Sequence, residues 1–241
     1  MAPPFIAYYG ALKDEYTCKG LLQTAYDQVR LYREVLYDPS VRLWRHIALG
    51  NGTDPTHWAT GNAWAAAGML RVLATIEHSR VASQMKSQQC DLEKWVGEIL
   101  DGAWRFQVSV VSLVFAAVED TKSVCAYAPI SARKQQANGT LLNYLDQPDS
   151  FADSASTALM AASTFRFASI TCNNTHIPAA IRALQLVQDS IDDQGWLLNT
   201  VDPLTFSSPS PPGQHSPEGQ SFVLLLEAAV AAWKSLEVYR V

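Results

Sequence analysis

Twelve residues, WATGNAWAAAGM from Trp58 to Met69, set two tryptophans six positions apart around a Gly-Asn pair and run straight into a helical pattern. Thr60, Gly61 and Asn62 would present polar and backbone groups at a helix start, where unpaired N–H groups favour anions or sugar hydroxyls. Trp58 and Trp64 would add flat apolar faces beside them, which together make the floor of a carbohydrate pocket. The same spacing also suits ordinary core, because a Trp at a helix start followed by Ala and Met is a common way to fill an interior.

Other residues capable of chemistry are scattered along the chain. His46, in LWRHI, is a candidate pocket residue, with a hydrogen-bonded helix-end histidine as the alternative. His57, next to Trp58, reads as a solvated loop histidine within reach of a ligand. Asp146, Asp149 and Asp153 read as turn formers and as the N-cap of a helix beginning near Ser154, not as catalytic groups. His215, Ser216 and Glu218 read as a cap, with Pro217 at the first helical position, rather than as a Ser-His nucleophile. Gly-x-Ser-x-Gly, P-loop and dinucleotide patterns are all missing, which disfavours triad hydrolases and nucleotide enzymes. Cys18, Cys90, Cys125 and Cys172 lie far apart without a CxxC pair, so buried thiols are expected and a zinc site is not. Asn51, Asn138 and Asn173 open Asn-x-Thr sequons, which matter only in a secreted chain.

A chain of 241 residues, 48% hydrophobic and with seven Trp, has ample material for one large domain over 1–241. Its net charge of -5, without a basic stripe, excludes the electrostatic footprint of a nucleic-acid binder. MAPPFIAYYG carries neither a positive n-region nor an apolar run long enough for a signal peptide or membrane anchor, so a cytoplasmic location is expected for the chain as written. Apolar spacings of three and four predict helices from near Met1 and over about 20–36, 61–78, 90–106, 154–169, 178–191 and 217–239. Strand signals are weak apart from 108–117, so the class is all-α.

Three times, a short apolar segment leads through a Gly-, Asn-, Asp- or Pro-rich loop into an apolar helix. Leu141-Leu142-Asn143 matches Leu197-Leu198-Asn199, 56 positions apart. Such a unit is a helical hairpin whose long loop falls on the same face each time, as in helical arrays and toroids, and function belongs on that face.

The blocks MAPPFIAYYGAL, YDQVRLYREVLYD, LWRHI, WATGNAWAAAGMLRVL and EGQSFVLLLEAA, in this order, resemble the later part of glycoside hydrolase family 105 and its relative family 88. These are the unsaturated rhamnogalacturonyl and glucuronyl hydrolases. The resemblance implies an (α/α)6 toroid of six helical hairpins. It also implies hydration of the 4,5-unsaturated uronic acid end of an oligosaccharide, one aspartic acid protonating the double bond and helping to deliver water. The two-carboxylate geometry of ordinary glycosidases does not transfer. No metal or organic cofactor is implied, and the implied partner is an oligosaccharide rather than a nucleic acid or a membrane; oligomeric state stays open. Residue by residue, the resemblance puts His46, Trp58, Thr60, Asn62 and Trp64 against the substrate. Thr60 stands where many members have an arginine that meets the uronate carboxylate, and a hydroxyl is a much weaker partner than a bidentate guanidinium.

Two departures accompany it. The family's catalytic aspartate would lie a few residues before Met1, so no catalytic residue is assigned within the chain, and only about four of six hairpins are expected. An open arc of that kind should expose inner helices that a closed ring buries. Residues 108–134 form an atypical insertion between DGAWRFQ and NGTLLNYLDQPDS. Both departures are what a truncated or misassembled reading frame would produce. The alternative function is a non-catalytic helical array, either a sugar-binding remnant or an interaction scaffold.

Overall fold

A computed structural model describes residues 2–108 and 139–238. The expected strand at 108–117 and almost all of the atypical insertion lie outside the described residues, as do Cys125 and Asn138. Seven α-helices occur among the described residues: α1 Ala2–Ala11, α2 Glu15–Leu36, α3 Ala59–Glu77, α4 Lys86–Arg105, α5 Ser154–Thr171, α6 Ile177–Asp189 and α7 Pro217–Val238. Two antiparallel pairs of two-residue strands decorate the loops, β1 Tyr37–Asp38 with β2 Leu43–Trp44, and β3 Leu141–Leu142 with β4 Ala152–Asp153. The all-α reading holds.

Local chemistry sets the helix ends. α2 starts five residues before the expected Gly20 because Asp14 caps it, accepting from the Thr17 backbone N at 3.1 Å and the Thr17 hydroxyl at 2.9 Å. Cys18, Leu22, Ala25, Tyr26 and Val29 then make its buried stripe. α7 starts as expected, with the Ser216 hydroxyl oxygen accepting from Gly219 N at 3.0 Å. α5 is buried on nearly every side, which its Ala-, Ser- and Thr-rich sequence permits at close interhelical distance. Cys18 is buried as expected, but Cys90 and Cys172 are exposed, because each falls on the solvent side of its helix or cap.

The odd-numbered helices form an inner row. α1 packs on α3, α3 on α5 and α5 on α7, while α2, α4 and α6 flank α1, α3 and α5 from outside. The result is three helical hairpins and a further inner helix, an incomplete ring. Its end helix α1 is uncovered on one side, where Phe5, Tyr8, Tyr9 and Leu12 form an exposed stripe at helical spacing. Every connection from an outer to the next inner helix is long, and the described residues of these loops that precede each inner helix meet at one end of the ring.

Hydrogen bonds between successive loops hold that end. Ala59 N, at the first turn of α3, donates to Asn143 O at 2.8 Å, and Ser154 N, at the first turn of α5, donates to Asn199 O at 3.0 Å. The repeated Leu-Leu-Asn segments therefore do the same work, each capping the inner helix of the preceding hairpin with its asparagine carbonyl. Asp153 adds a side-chain version. Its Oδ1 accepts from Ala155 N at 3.0 Å and Val201 N at 2.9 Å, and its Oδ2 accepts from Ser156 N at 3.1 Å and the Thr60 hydroxyl at 3.2 Å. One carboxylate, 0% exposed, thus joins α3, α5 and the loop before α7.

Replacing Asp153 with Ala strands three buried N–H donors and should cost about 3 kcal/mol or more in urea unfolding. Asp153→Asn keeps one acceptor oxygen and should recover part of that loss. Equal stability of Asp153→Ala and the parent chain would exclude this linking role.

Candidate functional site

The loop before α3 begins the site. His46 N donates to Thr56 O at 2.9 Å and Ile47 pairs with Asp54, so residues 47–54 turn back on themselves through Gly50, whose φ is 91°. The turn delivers the Asp54 carboxylate to the His46 ring, with Oδ2 2.8 Å from Nδ1. Burial alone would raise the Asp54 pKa, but the Thr56 hydroxyl, His46 and the Thr56 N–H hold it below the usual carboxylate range. With Nδ1 engaged, Nε2 is the His46 nitrogen that Asp54 does not hold.

Trp58 lies beside His46, with ring centroids 4.7 Å apart and planes tilted by 48°. Gly61 makes room for the indole, since a Cβ there would lie 3.1 Å from Trp58 Cε3. Trp58 Nε1 donates to Asn143 Oδ1 at 3.0 Å, and Asn143 Nδ2 donates to Phe206 O at 3.0 Å. Phe206, from the loop before α7, sets its ring 4.8 Å from His46 at 74° and 5.8 Å from Trp58 at 59°. Three loops thus meet in a single cluster, the one before α3 contributing His46 and Trp58, the one before α7 Phe206, and the one before α5 the Asn143 amide that aligns them. Half-buried His46 and Trp58 form an apolar surface on which His46 Nε2 is the ring nitrogen not already held by Asp54 or Asn143, an arrangement that suits the C–H faces and a hydroxyl of a sugar.

The remaining predicted residues are placed elsewhere. Trp58 precedes α3 and Trp64 lies within it, about a third of a turn away around the axis. They do not form one floor. Trp64 Nε1 donates to Glu218 Oε1 at 3.0 Å, and its ring meets Phe222 edge-on at 5.1 Å. Trp64 also lines a separate, largely apolar cavity of about 340 Å³ with Pro3, Pro4, Tyr32, Trp44 and Met69. Asn62 is buried, its Oδ1 accepting from Trp44 N at 2.8 Å and its Nδ2 donating to Trp44 O at 2.9 Å and Trp58 O at 3.0 Å. Thr60 is buried against Asp153. Both polar side chains are consumed in bracing the start of α3, because a polar group without solvent must find a protein partner.

His57 also departs from the expected solvated loop histidine, being only 7% exposed. Its Nδ1 lies 2.7 Å from Asp146 Oδ2 and its Nε2 3.8 Å from Asp38 Oδ2, so it links the loops before α3 and α5. Asp153 is the expected N-cap of α5, whereas Asp146 serves His57 and Asp149 is exposed. Asp54, Asn143 and Phe206 were not singled out as site residues from sequence. Asp54 sits in an ordinary turn motif, Asn143 was visible only as a repeat marker, and Phe206 reaches the cluster from a distant loop without any local signal. Among the described residues, no three His, Cys, Asp or Glu side chains are grouped to hold a metal ion. No helix among them is long and apolar enough to cross a membrane.

Residues 1–100 match the model of Glycosyl Hydrolase Family 88. No curated protein matches the sequence. Among solved structures, a possible member of the GH105 family from Salmonella enterica serovar Paratyphi A is similar at 17% identity and a TM-score of 0.68, covering 97% of this chain and 54% of that one. A family 88 glycosyl hydrolase from Bacteroides vulgatus is similar at 12% identity and a TM-score of 0.70, covering 96% and 60%. The unsaturated glucuronyl hydrolase of Bacillus sp. GL1, responsible for the degradation of glycosaminoglycan, is similar at 15% identity and a TM-score of 0.59, covering 95% and 55%. The chain shares the helical-hairpin fold of these proteins and spans a little over half the length of each.

The turn beside His57 carries a pH signature. The Ser40 hydroxyl, with Ser40 N and Arg45, outweighs burial and holds the Asp38 carboxyl down at about 2. A carboxyl depressed on folding stabilises above its unfolded value and loses that contribution as pH falls through the folded value. Asp38→Asn should therefore be less stable than the parent at about pH 6, with the difference shrinking between roughly pH 4 and 2. Urea titrations across that range check it, and a pH-independent difference would refute it.

Proposed function

We propose that this chain belongs to a glycoside hydrolase of the unsaturated uronyl type, acting on the 4,5-unsaturated uronic acid end of pectin- or glycosaminoglycan-derived oligosaccharides. His46 and Trp58 supply a saccharide-stacking surface on the loop end of the ring. The observation carrying this reading is the clustering of these two residues within the part of the chain that matches the family 88 model. Trp64 and the apolar cavity beside it form a second place for sugar contact. Thr60 and Asn62 act behind the surface, bracing the helix that carries Trp58.

Hydration of the enol ether needs a carboxylic acid that holds a proton at working pH and reaches the alkene. Near the aromatic cluster, Asp54 is held ionised by its hydrogen bonds and Asp153 is sealed from solvent. That observation favours a second reading, in which the chain binds the saccharide without turning it over.

Incubation with an unsaturated uronyl disaccharide separates the two. Loss of the conjugated-alkene ultraviolet absorbance supports the hydrolase, and calorimetric binding without that loss supports the binding module. In either case Trp58→Ala should weaken binding by about tenfold or more, the loss of one aromatic stacking contact. Absence of both binding and turnover would reject both readings.

A further inference from the structure

We propose that Phe206 is a displaceable cover on the Trp58–His46 surface, an autoinhibitory contact that saccharide must push aside to stack on Trp58. The inference rests on the saccharide-binding reading above and adds a residue that controls access to it. Gly61, His46 and Phe206 together surround the Trp58 indole. Gly61 belongs to the same helix start as Trp58, and His46 is fixed from behind by Asp54. Phe206 alone comes from outside the loop that carries Trp58, on a turn over residues 202–208 that is not part of the anchored segment Asn199–Val201.

Its attachment is of the kind that can be released. Phe206 is 38% exposed, so its ring is only partly packed. Its backbone φ of 46° lies in the left-handed region, unfavourable for a bulky L-residue. The turn carrying it is closed largely on itself, with Phe206 N donating to Asp202 O at 2.9 Å and Asp202 N donating to Ser208 O at 2.8 Å. Across the cluster, the bond from Asn143 Nδ2 to Phe206 O ties this turn to the preceding loop. Asn143 is itself 0% exposed and holds Trp58 through its other amide atom, so losing the Phe206 contact leaves Trp58 in place. A partly exposed ring on a strained turn, latched by one amide over the indole, has the attributes of a cover rather than a wall.

Two variants of the full chain, Phe206→Ala and Asn143→Asp, test the cover. The first removes the ring, and the second removes the donor to Phe206 O while keeping an acceptor for Trp58 Nε1. Oxidation by N-bromosuccinimide, with peptide mapping to assign Trp58, reads the accessibility of the indole without any sugar. Trp58 should oxidise faster in both variants, and unsaturated uronyl disaccharide should bind several-fold more tightly, since displacing the cover no longer opposes binding. An unchanged Trp58 oxidation rate in Phe206→Ala overturns the proposal. Faster oxidation with weaker disaccharide binding also overturns it, because Phe206 would then be a binding wall. Faster oxidation with no disaccharide bound by the parent or either variant leaves the cover standing and rejects the saccharide reading.

Discussion

Asp153 is a carboxylate with no exposure to solvent and four hydrogen bonds, and the loop end of the ring is assembled around it. Burial pushes its carboxyl above the usual range, while the N–H groups of Val201, Ser156 and Ala155 pull the other way. Removing such a group from water is unfavourable unless donors replace the lost hydration. The donors come from the start of α5, from α3 and from the loop before α7, and so the desolvation of one side chain requires three segments to meet. The candidate site is a consequence of that meeting. Val201, held against Asp153, and Asn199, held by Ser154 N, fix the base of the turn that carries Phe206 toward Trp58.

Backbone bonds extend the same logic along the ring. An inner helix begins with N–H groups that lack partners inside the helix. Here the carbonyl of Asn143 meets the first of these in α3, and the carbonyl of Asn199 meets the first in α5. The hairpins that begin with α3 and α5 are therefore each completed by the loop of the next, which makes the loop face continuous there although each loop is irregular. Asn143 uses its side chain as well, accepting from the Trp58 indole and donating to Phe206 O. The residue that marks the repeat in sequence is thus the one that couples scaffold to aromatic cluster.

The aromatic cluster and the separate Trp64 cavity divide the chemistry that the WATGNAW segment suggested. Trp58, before the helix axis is established, swings toward the loops and meets His46 and Phe206. Trp64, inside the helix, is directed to α7 and meets Glu218 and Phe222. The intervening Thr60 and Asn62 are taken up by Asp153 and by the Trp44 backbone. A polar residue at a helix start satisfies the helix and its neighbours first, and only what is left over is available to a ligand.

What the sequence determined by itself was local or periodic. Helical spacing located seven helices, Ser216-Pro217 and Asp153 announced their caps, and the repeated Leu-Leu-Asn segments announced hairpins with their loops on one face. These features depend on contacts within a few residues, or on a pattern that recurs, and either can be read along one dimension. The start of α2 slipped because a capping Asp14 outweighed the apolar pattern that begins later. Only the tertiary structure decided that Asp54 would face His46, that His57 would be sealed between Asp146 and Asp38, and that Phe206 would cross to Trp58. The His57–Asp146 and Trp58–Phe206 contacts join loops separated by whole hairpins, and their geometry is set by how the inner helices pack, which no spacing of residue types along the chain encodes.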